Sequence, residues 1–105
     1  MTSGIDISHW NGDIDWQKVR ADGVVFAFAK ATEGLTFVDN TFATHWPAMK
    51  AAGIIRGAYH FYRPAVDPIA QAEHFLATAG GAGVLEEGDF PLTMDLETDD
   101  GLTGD

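Results

Sequence analysis

The residues best suited to acid–base chemistry stand near the end of the sequence, in Met94-Asp95-Leu96-Glu97. Side chains alternate across a strand, so Leu92, Met94 and Leu96 share one face and Thr93, Asp95 and Glu97 the other. Two residues along a strand is about 6.6 Å, which makes Asp95 and Glu97 neighbours on one face. Carboxylates placed so raise each other's proton affinity. One then stays protonated as a general acid while the other remains charged, the division of labour that glycoside cleavage requires. The competing reading is a strand end running into solvent, since Asp99 and Asp100 follow. Asp6 adds a third carboxylate on the polar face of another strand, where it could instead serve as a turn cap before Asn11-Gly12.

Other chemistry-bearing residues fall at similar places. Lys30 follows an apolar run and could meet a sugar hydroxyl or a carboxylate, or be an ordinary surface lysine. Tyr59, Phe61 and Tyr62 could stack on sugar rings or pack a core; by alternation Tyr59 and Phe61 share a face and Tyr62 turns the other way. His9, His45, His60 and His74 lie on separate elements without zinc-like spacing, so no metal site is expected. There is no phosphate-binding glycine loop, no dinucleotide motif and no Gly-x-Ser-x-Gly elbow.

The sequence pattern reads as strands and helices in alternation. Ile5 and Ile7 mark a first strand, and Asp15 caps a short helix from Trp16 that Gly23 ends. Val24–Ala29 is a second strand closing at Lys30, and 31–40 reads as a polar loop. A second helix spans roughly Thr41–Ala52, where Pro47 predicts a kink or a late start. Ile54–Tyr62 is a third strand. Asp67-Pro68 opens a third helix with Ile69, Ala72 and Leu76 as its buried stripe. Gly80–Asp89 reads as a flexible connection, and Pro91–Glu97 as a fourth strand. Such alternation predicts a parallel α/β sheet, in which chemistry gathers at the carboxyl ends of the strands. Asp6, Lys30, His60 to Arg63, and Asp95 with Glu97 all fall there.

Composition narrows the function classes. The chain has 105 residues, enough for one domain, with a net charge of −10 and no cysteine. That charge disfavours nucleic acid as a partner, and the missing thiols exclude disulfides and a cysteine nucleophile. No apolar run is long enough to span a bilayer, so no membrane partner is expected. No signal peptide is visible.

Four ordered segments resemble glycoside hydrolase family 25, the Chalaropsis-type lysozymes. They are Asp6-Ile7-Ser8-His9-Trp10-Asn11-Gly12, then Lys30-Ala31-Thr32-Glu33-Gly34 with Phe37 and Asp39, then Gly57-Ala58-Tyr59-His60-Phe61-Tyr62, and Met94-Asp95-Leu96-Glu97. Ala29 is smaller than the family usually carries at that position. The resemblance implies hydrolysis of the β-1,4 bond between N-acetylmuramic acid and N-acetylglucosamine in bacterial peptidoglycan, without a metal or organic cofactor. It implies Glu97 as the general acid, and Asp95 as the residue orienting or stabilising the N-acetyl group of the reacting sugar. Either that group or an enzyme nucleophile could attack. Asp6 would be a further active-site carboxylate, and Lys30, Tyr59 and Phe61 would line the substrate groove, where the Tyr62 ring is a further candidate for substrate binding. The longer acidic strand motif of family 18 chitinases is not matched, because Leu92 and Thr93 stand where more acids would be.

The implied fold is the N-terminal half of an irregular TIM-like β/α barrel, about four parallel strands with intervening helices. Residues 1–105 would be a single, truncated, muramidase-like catalytic domain whose C-terminal half is absent. An unclosed sheet edge then predicts self-association. The place of action would be the bacterial cell wall, reached by secretion or phage release. The alternative is a sugar-binding half-barrel that is catalytically incomplete or needs a partner chain.

Overall fold

The central strand sorts its residues by size. Along Val24–Glu33 the alanines Ala27, Ala29 and Ala31 alternate with Phe26, Phe28 and Lys30. The alanines are fully buried and let helices approach closely on one side, whereas the large side chains occupy the other. The computed structural model describes residues 3–80 and 84–96. Its elements are β1 (Ser3–Ile7), a short 3-10 turn (His9–Asn11), α1 (Trp16–Ala21), β2 (Val24–Glu33), β3 (Phe37–Val38), α2 (Phe42–Ala51), β4 (Ile55–Phe61), α3 (Pro68–Ala79) and β5 (Thr93–Asp95).

The strand order is β1-β2-β4-β5, with every neighbouring pair parallel and β3 added antiparallel to β2. This is the expected α/β arrangement. The core lies between the sheet and the helices, where Trp16, Phe42, Trp46, Met49 and Phe75 cover the alanine face. On the opposite face Phe26 and Phe28 lie beside glycines. A Cβ on Gly4 would stand 2.1 Å from the Phe26 ring, and one on Gly57 2.4 Å from the Phe28 ring. Phe28 also stacks on Phe90 at 4.9 Å, which fills the lower part of the curved inner face.

Four expectations need correction. β2 continues past Lys30 to Glu33, and Phe37–Val38 folds back on it as β3, so part of the expected loop is a hairpin. α2 begins at Phe42, directly after its cap Thr41, and runs through Pro47, so of the kink or late start read from Pro47 the late start does not occur. Burial of Phe42, Trp46 and Met49 offsets the hydrogen bond lost there, an interior proline costing about 3 kcal/mol. The buried face of α3 is Gln71, Phe75 and Ala79, whereas Ile69 is 70% and Leu76 54% exposed. A polar residue holds the buried stripe because its amide satisfies loop backbone: Gln71 Nε2 donates to Arg63 O at 2.8 Å, and its Oε1 accepts from Arg63 N at 2.9 Å. The described part of 80–89 is held firmly. Trp46 Nε1 donates to Val84 O at 2.8 Å, and the buried Arg56 pairs with Asp89 at 2.9 Å and with Glu86 at 2.7 Å.

Candidate active site

Asp6 sits near the carboxyl end of β1, in register with Phe28. Asp95 ends β5, in register with Phe61. Three strand spacings separate β1 from β5, about 14 Å in a flat sheet. Yet Asp6 and Asp95 line one open cleft of about 370 Å³, together with Phe28, Tyr59, Thr93 and Met94. The sheet is therefore curled so that its outer strands face each other across Phe28 and Tyr59, as strands of a barrel do. Tyr59 Oη donates to Ile7 O at 3.4 Å, fastening the cleft floor to β1 beside Asp6. Tyr62 N donates to Asp95 O at 2.9 Å, which holds the end of β5 against β4.

The remaining expected residues form a neighbouring group. Lys30 is only 6% exposed, and its ammonium pairs with Glu33. Residues three apart normally point to opposite faces of a strand. Here the pairing of β2 with β4 shifts register between Lys30 and Thr32, which brings Glu33 beside Phe61 and onto the Lys30 side. The Lys30 ammonium lies 5.1 Å from the ring centres of both Phe37 and Phe61. Arg63 Nη1 approaches Glu33 Oε2 at 3.7 Å. The structure thus brings Asp6, Tyr59 and Asp95 into the cleft, and it sets Lys30 and Phe61 in a charged, aromatic group beside it. Tyr62 holds Asp95 through its backbone, and its ring is not among those lining the cleft. Glu97 lies outside the described residues.

Sequence reasoning missed Phe28 and Thr93 as cleft walls and Glu33 as the partner of Lys30. The alternation of large and small residues in β2 was the available signal for Phe28. Nothing in residue order signals a register shift, so the Lys30–Glu33 pair could not be foreseen.

Behind this site lies a buried polar network. Thr32 Oγ1 meets His60 Nδ1 at 2.7 Å, and His60 Nε2 meets Gln71 Oε1 at 2.9 Å. Gln71 Nε2 is committed to the carbonyls of Arg63 and Val66, so Oε1 is the acceptor. His60 therefore carries its proton on Nε2 and accepts from Thr32 at Nδ1. Burial pushes the His60 imidazole below its ordinary value, outweighing the hydrogen bond to Gln71. A second buried anchor is Asp39. Burial raises its carboxyl, but hydrogen bonds from Thr41 and His9 outweigh that and hold it below the usual aspartate value. Among the described residues no group of three or more histidines and acids could hold a metal ion. None of the described helices is long and apolar enough to cross a membrane.

Known proteins share both sequence and architecture with this chain. Lysozyme M1 of Streptomyces globisporus is 45% identical over 95 residues, which is 90% of this chain and 32% of that protein. The crystal structure of the bacterial lysozyme from Streptomyces coelicolor is 42% identical with a TM-score of 0.80, over 89% of this chain and 43% of that one. The muramidase from Trichobolus zukalii is 36% identical with a TM-score of 0.84, over 98% and 52%. The chain thus spans about a third to half of the length of these relatives. The sequence profile of glycosyl hydrolases family 25 matches residues 5–105, nearly the whole chain, and the chain belongs to that family.

Proposed function

We propose that the cleft binds peptidoglycan glycan strands and serves hydrolysis of the β-1,4 bond between N-acetylmuramic acid and N-acetylglucosamine. The observation that carries this reading is the meeting of Asp6 and Asp95, from the two ends of the strand order, in one cleft walled by aromatic residues. Family membership supports the choice of substrate, as do relatives named lysozyme and N,O-diacetylmuramidase. In this reading Glu97 donates the proton to the leaving oxygen, and Asp95 holds and stabilises the reacting sugar. Asp6 completes the acidic wall. Tyr59 offers a ring in the cleft, and Lys30 and Phe61 shape its flank, with Tyr62 behind them. No cofactor enters the reaction.

In this reading residues 1–105 are the N-terminal part of a single muramidase-like catalytic domain, which works at the bacterial cell wall after secretion or phage release. One relative of known structure is the CTP1L endolysin. The test is the clearing of a bacterial cell-wall suspension by the chain and by Glu97→Gln, which keeps shape and removes the acid. The expected result is clearing that the substitution abolishes while the circular dichroism spectrum stays unchanged. Undiminished clearing by Glu97→Gln would overturn the assignment.

A second reading has one observation in its favour. Leu96, directly after β5, is an apolar residue 70% exposed. In that reading the unit binds glycan and needs a partner chain on β5 before it turns over. Binding of cell-wall material without clearing, followed by clearing on addition of the partner, would distinguish it.

A further inference from the structure

Trp10 is 84% exposed, whereas Trp16 and Trp46 are buried. An indole so exposed leaves a large apolar face in water. Its position is nevertheless fixed. Trp10 belongs to the 3-10 turn directly after β1, on the same rim as the cleft, with Ser8 Oγ accepting from Trp10 N at 3.3 Å. Its ring lies 4.6 Å from that of His9. His9 is itself held by a buried carboxylate: Asp39 Oδ2 accepts from His9 N at 2.8 Å and from Nδ1 at 3.0 Å, while Asp39 Oδ1 accepts from Thr41 N and Oγ1. Nδ1 is thereby the protonated nitrogen, which makes Nε2 the acceptor on a side chain that is 29% exposed.

These groups form a continuous band toward the cleft. His9 lies 5.5 Å from Phe37, and the Lys30 ammonium bridges Phe37 and Phe61 at 5.1 Å each. Phe61 is the register partner of Asp95. Aromatic faces interspersed with fixed nitrogens suit a pyranose ring, which has apolar C–H faces and hydroxyl or acetamido groups around its edge. A polymeric glycan necessarily extends past the bond being cut, so its next sugars must lie along this rim or leave it.

We propose that Trp10, His9 and Phe37 form an outer glycan subsite, which takes an N-acetylhexosamine of the same strand beyond the cleft. Trp10 stacks on the sugar face and His9 Nε2 accepts a hydrogen bond from a hydroxyl or amide. This proposal rests on the glycan-binding reading of the cleft, and its test separates the two. The full chain is titrated with soluble β-1,4-linked oligomers of N-acetylglucosamine, two to six sugars long, as wild type, Trp10→Ala and Trp10→Phe. Binding and acrylamide quenching of tryptophan fluorescence are followed together, since the exposed indole dominates quenching.

The expected result is that long oligomers shield Trp10 from quencher. Trp10→Ala should weaken their binding about tenfold, leave the two-sugar oligomer unaffected, and be largely rescued by Trp10→Phe. Equal affinity of wild type and Trp10→Ala at every length would overturn the subsite and leave the cleft reading standing. Failure of every oligomer to bind either protein would overturn both.

Discussion

Lys30 illustrates how a residue can be read correctly for its place and incompletely for its surroundings. Its position after an apolar strand was legible, but its burial against Glu33, Phe37 and Phe61 depends on a register shift and on a hairpin that residue order does not announce. The buried ammonium and its half-buried partner form a charge-assisted pair whose two members depend on each other. Lys30→Met should therefore destabilise the fold by about 1.5–3 kcal/mol, because it removes a charge-assisted hydrogen bond and leaves Glu33 only the more distant Arg63 guanidinium. Urea unfolding checks this, and Lys30→Met/Glu33→Gln should recover part of the loss. Gly57 makes a second case at this scale. Any side chain there meets the Phe28 ring, which is a wall of the cleft. Gly57→Ala should cost about 1–3 kcal/mol by overpacking and should also weaken glycan binding, since the ring must move out of the cleft wall. Unchanged stability together with unchanged binding would contradict the close approach.

At the scale of elements, periodicity located the strands and helices well because alternation and caps are local signals. Asp15 and Asp67 cap α1 and α3 as their positions imply. What periodicity could not assign was the face of α3. Counting apolar residues favours Ile69, Ala72 and Leu76, yet the helix turns Gln71 inward because the β4–α3 loop offers it three backbone partners and β4 the His60 imidazole. That network has a pH signature. The folded His60 lies below its ordinary value near 6.5, so the unfolded chain takes up a proton first as pH falls. Stability from His60 is complete above about pH 6.5 and is lost as pH falls toward the folded value. Asp39, depressed in the fold, acts likewise in a lower window, its contribution being lost below the usual aspartate value of 3.8. Unfolding midpoints between about pH 8 and 5 should thus decline, and Gln71→Leu should lower stability throughout by about 2–4 kcal/mol through unpaired His60 and Arg63 groups. A flat profile over that range would contradict the buried neutral imidazole.

At the scale of the molecule, the sheet's curvature is the feature that residue order conveys least. Asp6 and Asp95 could each be placed at a strand end, but only the curl of the sheet brings the two together. Among the described residues β5 stands at one end of the strand order, and Leu96, which follows it, is 70% exposed. Exposed apolar residues on an edge strand favour pairing with another chain, since that buries area worth about 25 cal/mol per Å² and satisfies the strand's open backbone groups. A net charge of −10 opposes the approach of two copies. The balance is therefore set by ionic strength: association of the 105-residue chain through β5 should be weak at low salt and strengthen as the Debye length shrinks from about 30 Å at 0.01 M to about 8 Å at 0.15 M. Light scattering across that salt range, with an apolar-binding dye as a second probe, should show larger particles and less dye bound at higher salt. Leu96→Lys should keep the chain monomeric at both ends of the range, because it places a charge where an apolar contact is needed. Salt-independent monomers that bind no dye would mean that the β5 end of the sheet is already satisfied, and the partner-dependent reading of the cleft would lose its support.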